Sequence, residues 1–286
     1  MQNSQRHVAS CRWTWIYRSQ VGNRRYDTVS RCWLCYLGLG RYLWPAEDFI
    51  GQFRHKLLAL RGKEKELNKI QALTKWVPQP QIITFYGLLQ FHWWDYNNPY
   101  YVDALKYLSD LRGKGIIKHL GLTNFDTERT QIMIDSDIQI VSNQVQYSII
   151  DRRPEVKMIP LCLKHNIHLL AYGSICGGLM SERFLGRTQP PSRAELNTLS
   201  LRKYKQMIDA WGGWGLLQEL LSTLNRIAQK YNVSIANVAT RYILDNPAVA
   251  GVIIGARLGI TDHISNNVQV FKFSLDKIDY SDIVNT

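Results

Sequence analysis

Long apolar runs are missing from this chain of 286 residues. None approaches the ~20 residues that a membrane-spanning helix needs, so no membrane partner is expected. The long apolar core of a secretory signal is missing too. Cysteine is scarce and odd in number, five in all, which argues against a disulfide framework. Acids are in deficit, 23 against 35 Lys and Arg, giving a formal net charge of +12. Such a charge raises nucleic acid as a partner, but no nucleic-acid-binding motif accompanies it, and none is expected to bind. What is present, 45% hydrophobic and 20% charged residues, is the composition of an ordinary soluble globular protein. A cytoplasmic location is expected.

The excess charge is unevenly placed. Residues 1–44 hold seven Arg, no Lys and a single acid, Asp27, and so carry half of it. Trp13, Trp15, Trp33 and Trp44 are interleaved with those arginines, and neither helical nor strand periodicity lasts beyond a few residues. This segment is set apart as an atypical, unassigned stretch. It can be read as an organelle transit peptide, which would change the compartment, as a degraded domain start, or as unrelated sequence joined to a domain. Cys32-Trp-Leu-Cys35 lies within it. With no second pair at finger spacing and no βαβ frame around it, the pair is read as chance rather than as a metal or redox site.

At Pro45-Ala-Glu-Asp48 the character changes. Proline in a first helical turn with acids behind it marks a helix start, and a domain is expected from 45 to 286. Phe49, Phe53, Leu57, Leu58 and Leu60 follow at near-helical spacing. Ile70–Trp76 reads as a strand. Only eleven residues separate Trp76 from Leu88, with Pro78 and Pro80 among them, too few and too broken for the usual crossover helix. From Leu88-Leu-Gln-Phe-His-Trp-Trp94 the alternation is regular. Strands are expected at 88–93, 118–124, 139–147, 167–172 and 252–256. Helices are expected at 100–112, 126–135, 154–165, 215–231, 235–245 and 276–284, with a short one opened by Thr261 or Asp262. Residues 173–213 read as a long polar excursion. The pattern predicts an α/β fold with a parallel sheet. Six strands are legible, so a closed (β/α)₈ TIM barrel lacks its first two, and the helix before strand 4, unless residues 1–44 provide them.

Nearly every strand ends in groups that a buried strand does not need: Lys75, His92, Thr123 with Asn124, Gln144, Tyr172, and Gly255-Ala-Arg257 after the last. In a parallel barrel those ends share one rim, where binding groups collect. The ordered pieces Leu73–Trp76, Leu89–Trp93, Gly121–Phe125, Asn143–Gln146, Ala171–Ser174 and Val252–Arg257 with Ile264–Asn267 resemble the aldo-keto reductases. Pro45–Gly51 is similar to that family's helix entry after its second strand. The resemblance implies NADP(H) held across the strand ends, a small-molecule carbonyl substrate, and reduction of an aldehyde or ketone to an alcohol. It implies His92 as the group that orients the carbonyl, and Lys75 as the lysine that tunes a proton-donating tyrosine. Thr123, Asn124 and Gln144 would hold the carboxamide, and Tyr172 would stack on the nicotinamide. Ser174, Gly178 and Leu179 would lie along the pyrophosphate. Arg257 would meet the adenosine 2′-phosphate, a guanidinium being a bidentate match for it, His263 and Asn267 would meet the adenine, and Gly255 would be a further cofactor-binding position.

The resemblance departs at the second strand. The family pattern Asp-x-x-x-x-Tyr-Gly-x-x-Glu, anchored on Glu47, puts its tyrosine at Leu43 and its aspartate at Gly38. Tyr42 is the nearest hydroxyl, one residue early. The alternative expectation is therefore an NADP(H)-binding regulatory or scaffold protein that lacks its proton donor. His165-Asn-Ile-His168, at a helix-to-strand junction, is read as surface rather than as a metal pair. Trp211 and Trp214 are expected to roof a pocket.

Overall fold

The computed structural model describes the strands at 12–18, 36–40 and 71–76, then residues 86–257 and 263–286. The expected helix at 45–60, the link at 77–85, Tyr42, Leu43, Thr261 and Asp262 lie outside the described residues. The chain divides into two compact units, Met1–Trp15 with Arg25–Leu120 and Gly255–Asp262, and Ile16–Arg24 with Gly121–Ile254 and His263–Thr286.

In the first unit the atypical segment supplies two strands that periodicity did not show, β1 (Arg12–Arg18) and β2 (Tyr36–Gly40). β1 runs antiparallel to β2, with Thr14 opposite Gly38. β2 is parallel to β3 (Gln71–Trp76), which is parallel to β4 (Tyr86–His92). The start of the sheet thus has an antiparallel pair where a regular barrel has a parallel βα unit. Helix α1 (Tyr101–Gly113) buries Tyr101, Leu105, Leu108 and Leu111, a stripe at three- and four-residue spacing that covers one face of the helix.

Strand β5 (Ile117–Thr123) leads into the second unit. There β5, β6 (Ser142–Gln146), β7 (His168–Tyr172) and β8 (Val249–Arg257) are parallel neighbours in chain order. β6 is shorter than the expected 139–147, and β8 is longer than 252–256, with a bulge where it pairs with Leu169 and Leu170. Helix α2 (Thr127–Asp135) is capped by the Asp126 carboxylate, which accepts the Arg129 N–H at 2.8 Å. The single helix expected at 154–165 is two, α3 (Arg153–Val156) and α4 (Met158–His165), parted at Lys157 with φ −130°. Pro160 is the physical reason: it has no N–H for the Val156 carbonyl, and its ring crowds that carbonyl.

The 173–213 excursion is the largest departure. It contains helix α5 (Leu199–Trp211), begun by the Thr198 hydroxyl accepting the Leu201 N–H at 3.1 Å and burying Leu201, Tyr204 and Ile208. Helix α6 (Gly213–Tyr231) buries six residues from Leu217 to Ala228, and α7 (Ile235–Leu244) is buried along most of its length. Truncating one of those core leucines to alanine costs roughly 2–5 kcal/mol. The short α8 (Ile264–Asn267) and the capped α9 (Lys277–Val284) close the unit. Lys230 of α6 reaches Asp276 at 2.6 Å and the buried Asp279 at 2.9 Å, holding α9 down. Among the described residues no helix is long and apolar enough to cross a membrane.

Candidate active site

Several of the expected site residues fall at or near the ends of parallel strands. His92, Thr123, Tyr172 and Arg257 are the last residues of β4, β5, β7 and β8, and Gln144 lies near the end of β6.

In the first unit, β3 and β4 pair with Lys75 opposite Gln90. Alternation along a strand puts His92 on the same face as Gln90, and so on the face of the Lys75 position. The half-buried His92 ring lies 4.7 Å from that of Trp94. Trp93 is fixed to the turn after the strand: its indole N–H donates to the carbonyls of Asp95 at 2.8 Å and Asn98 at 3.1 Å. Gly38, where the family pattern has its aspartate, sits within β2 opposite Leu73. Gly255 and Arg257 belong to this unit as well.

In the second unit, Thr123, Asn124, Gln144 and Tyr172 form a connected group. Thr123 is in register with Gln144. The Asn124 N–H donates to the Gln144 carbonyl at 2.9 Å, and the Tyr172 hydroxyl donates to Asn124 Oδ1 at 2.9 Å. Asn124 has φ +60°, a left-handed conformation that asparagine tolerates better than most residues. Burial raises the Tyr172 pKa above its usual value, while the hydrogen bond to Asn124 pulls the other way. Ser174 is buried, as is Leu179, whose N–H donates to the Cys176 carbonyl at 3.2 Å. The turn they occupy depends on glycine: Gly173 (φ +77°) could not carry a Cβ, which would fall 2.3 Å from the Tyr204 hydroxyl, and Gly178 has φ +101°. His263 is exposed, and Asn267 is buried with its N–H on the His263 carbonyl.

A cleft of about 790 Å³ opens in this unit. Asn124 and Tyr172 line it, together with residues that sequence reasoning did not select: Gln146, Asp151, Arg153 and Lys203. Trp211 lines it as expected; Trp214 instead donates its indole N–H to the Arg187 carbonyl at 2.7 Å and packs edge-on against Phe184. The Asp151 side chain is almost fully buried. It accepts Arg153 Nε at 2.7 Å on one oxygen, and Arg153 Nη2 at 2.8 Å and Gln146 Nε2 at 2.7 Å on the other. Burial works against its charge, but the bonds from Arg153 and Gln146 outweigh burial and hold the carboxyl below its usual range. The polar Asp151-Arg-Arg153 run just beyond a strand end was the available signal. Lys203 gave none, because its helix was read as loop.

The arrangement fits a nicotinamide group. The buried Thr123 Oγ1 and Ser174 Oγ have no hydrogen-bond partner among the described residues. They adjoin Asn124 in sequence and follow Tyr172 by two positions. Asn124 and Tyr172, which line the cleft, offer a carboxamide a hydrogen-bonding amide and a ring face. His165 and His168 are half-buried, not the surface pair expected from their junction. No group of three or more metal-binding side chains occurs among the described residues.

Parallel strands alternating with helices, with polar groups at the strand ends, define a (β/α)₈-barrel protein, and solved structures bear the fold out. An aldo-keto reductase of Bacillus halodurans in its holo form matches 91% of this chain and 84% of its own at 24% identity, TM-score 0.64. A glycerol dehydrogenase of Gluconobacter oxydans matches 88% and 80% at 21% identity, TM-score 0.62. A Bombyx mori aldo-keto reductase in complex with NADP matches 89% and 80% at 18% identity, TM-score 0.61. A sequence profile described as the Aldo/keto reductase family matches residues 84–286, well over half of the chain, and the chain belongs to that family. The match begins after Pro45–Gly51 and Leu73–Trp76, so those two pieces of the resemblance fall outside it. Among curated relatives, flagellar radial spoke protein 5 of Chlamydomonas reinhardtii is 28% identical over 186 residues, 59% of this chain and 34% of the relative. The NADH-specific methylglyoxal reductase of Escherichia coli is 21% identical over 178 residues, 62% of this chain and 51% of the relative. The chain spans about half the length, or less, of the curated relatives it matches.

Proposed function

We propose that residues 45–286 act as a reductase domain, moving a hydride from a nicotinamide cofactor to an aldehyde or ketone. The observation that carries this is the group at the strand ends in which Asn124 is bonded to the Gln144 carbonyl and to the Tyr172 hydroxyl, with Asn124 and Tyr172 lining the cleft. When bound, the cofactor supplies the hydride. The chain's part is to hold the carboxamide with Thr123, Asn124 and Gln144, and to offer the Tyr172 ring as a stacking face. Ser174, Gly178 and Leu179 line the pyrophosphate, and His263 and Asn267 meet the adenine. His92 orients the carbonyl, and Lys75 is the lysine that tunes the proton donor. Arg257, beside Gly255, is the reason to favour NADP(H) over NAD(H), through bidentate recognition of a phosphate. The proton donor is Tyr42 if the chain turns over.

A second reading has its own support. Leu43 and Gly38 stand where the family pattern has tyrosine and aspartate, and one relative is named a flagellar radial spoke protein. In that reading the domain binds NADP(H) without turnover and serves as a scaffold or regulatory module. NADPH fluorescence titration, run beside a turnover assay with a reactive aldehyde, separates the two. Binding with turnover supports the reductase, and binding without turnover supports the scaffold. If turnover occurs, Tyr42→Phe is expected to abolish most of it; an unchanged rate removes Tyr42 from the mechanism.

A further inference from the structure

The charged groups on the cleft wall are not equivalent. Asp126 is paired with Arg129, Asp151 with Arg153, and Arg152 with Glu155 at 2.8 Å. Lys203 is the exception. Among the described residues no carboxylate forms an ion pair with it. Its ammonium lies instead over two aromatic rings, 5.4 Å from the centre of Tyr172 and 5.2 Å from that of Tyr204. Both oxygens of Asp151, the carboxylate whose field it feels, are taken up by Arg153 and Gln146. Crowding by the surrounding protein lowers its pKa from the usual lysine value, although the residue is exposed. Ring faces hold such a cation weakly and leave its N–H donors available for an anion. Around it the cleft offers apolar surface from Ile150, Met207 and Trp211. The site therefore presents one uncompensated positive charge beside an apolar wall and a tyrosine.

We propose that this cleft selects carbonyl compounds that carry a carboxylate on an apolar body, and that Lys203 reads the carboxylate. The proposal rests on the reductase reading, in which the Tyr172 face receives the nicotinamide. A nicotinamide on that ring would displace the weakly held, exposed Lys203 ammonium toward the substrate, whose charged end the lysine would then fix. The shared chemistry is capture of an oxyanion, and the pyrophosphate of the cofactor is the other source of one.

Calorimetric titration of the full chain distinguishes them. The probes are para-carboxybenzyl alcohol and para-methylbenzyl alcohol, reduced forms that cannot make an imine with lysine, each titrated with and without NADPH. The carboxylate compound is expected to bind about tenfold or more tightly than its methyl counterpart. Lys203→Gln should bring that ratio close to one, and Lys203→Arg should keep most of it. A ratio near one in the unaltered chain overturns the proposal, as does a ratio that survives Lys203→Gln. Weaker NADPH binding in Lys203→Gln with the ratio unchanged assigns the lysine to the cofactor and also overturns it. Because the readout is binding, an absence of aldehyde turnover with the ratio and its loss in Lys203→Gln as expected sinks the reductase reading while the charge selection stands.

Discussion

Asp151 ties the cleft wall together, since three hydrogen bonds from Arg153 and Gln146 converge on its two oxygens. Replacing it with asparagine is expected to cost about 1.5–3 kcal/mol, the usual scale for hydrogen bonds to a charged group. The dependence on pH has a definite sense. The folded carboxyl titrates below its ordinary 3.8, so the stabilisation is complete above that value and is lost as pH falls through the lower folded one. The melting temperature of the unaltered chain should exceed that of Asp151→Asn at pH 7, with the gap closing under acid; a gap constant down to pH values below 3.8 would show that the charge is not its source. Cys162 and Cys176 make the opposite kind of prediction. Both are free and buried, and burial pushes each thiol up to about 12. Alkylation at mildly alkaline pH, mapped by mass spectrometry, should leave both unmodified in the native protein and label both after denaturation.

Among the elements, those with one continuous apolar stripe were the legible ones. Tyr101, Leu105, Leu108 and Leu111 announce α1, and the leucines of α6 announce that helix, because nothing local competes with the pattern. Two misreadings have local causes. The stripe across α3 and α4 is continuous, but Pro160 breaks the hydrogen-bond ladder beneath it, so periodicity overestimated the helix. In α5 the spacing of Leu201, Tyr204 and Ile208 is present, but the polar residues and glycines of the 173–213 stretch mask it. That helix also carries Lys203, so the cleft-lining lysine is not legible without it. Thr198→Ala removes the hydroxyl that starts α5, and should cost about 0.5–2 kcal/mol in a denaturant titration, with Thr198→Ser retaining most of the stability.

For the whole molecule, the strand-end residues were readable because a parallel sheet sends its functional groups to one end of each strand, whatever the loops do. That rule singles out His92, Asn124, Gln144 and Tyr172 as strand-end positions, and the family resemblance supplies the roles expected of them. The strands within residues 1–44 were not readable: arginines and tryptophans alternate there without a stripe, and pairing with β3, distant in sequence, rather than local pattern, makes β2 a strand. Ligand binding gives a test at this scale. If NADPH binds the native chain only, its presence at about 100 times Kd adds about 2.7 kcal/mol of stability. Thermal unfolding should then move upward by several degrees in a dose-dependent way, and a melt unmoved by NADPH would count against the cofactor site as a whole.

The unequal wiring of the cleft wall also sets how the protein can diverge. Asp151, Arg153 and Gln146 are locked to one another, so changing one strands its partners and a viable alternative needs concerted replacements. Lys203 is exposed and outside any ion pair among the described residues, so its charge can be removed or inverted in a single step at little cost to folding. In a saturation library scored for folded yield, position 203 should accept most residues and position 151 few. Ligand preference would then drift through one permissive site while the scaffold around it stays fixed.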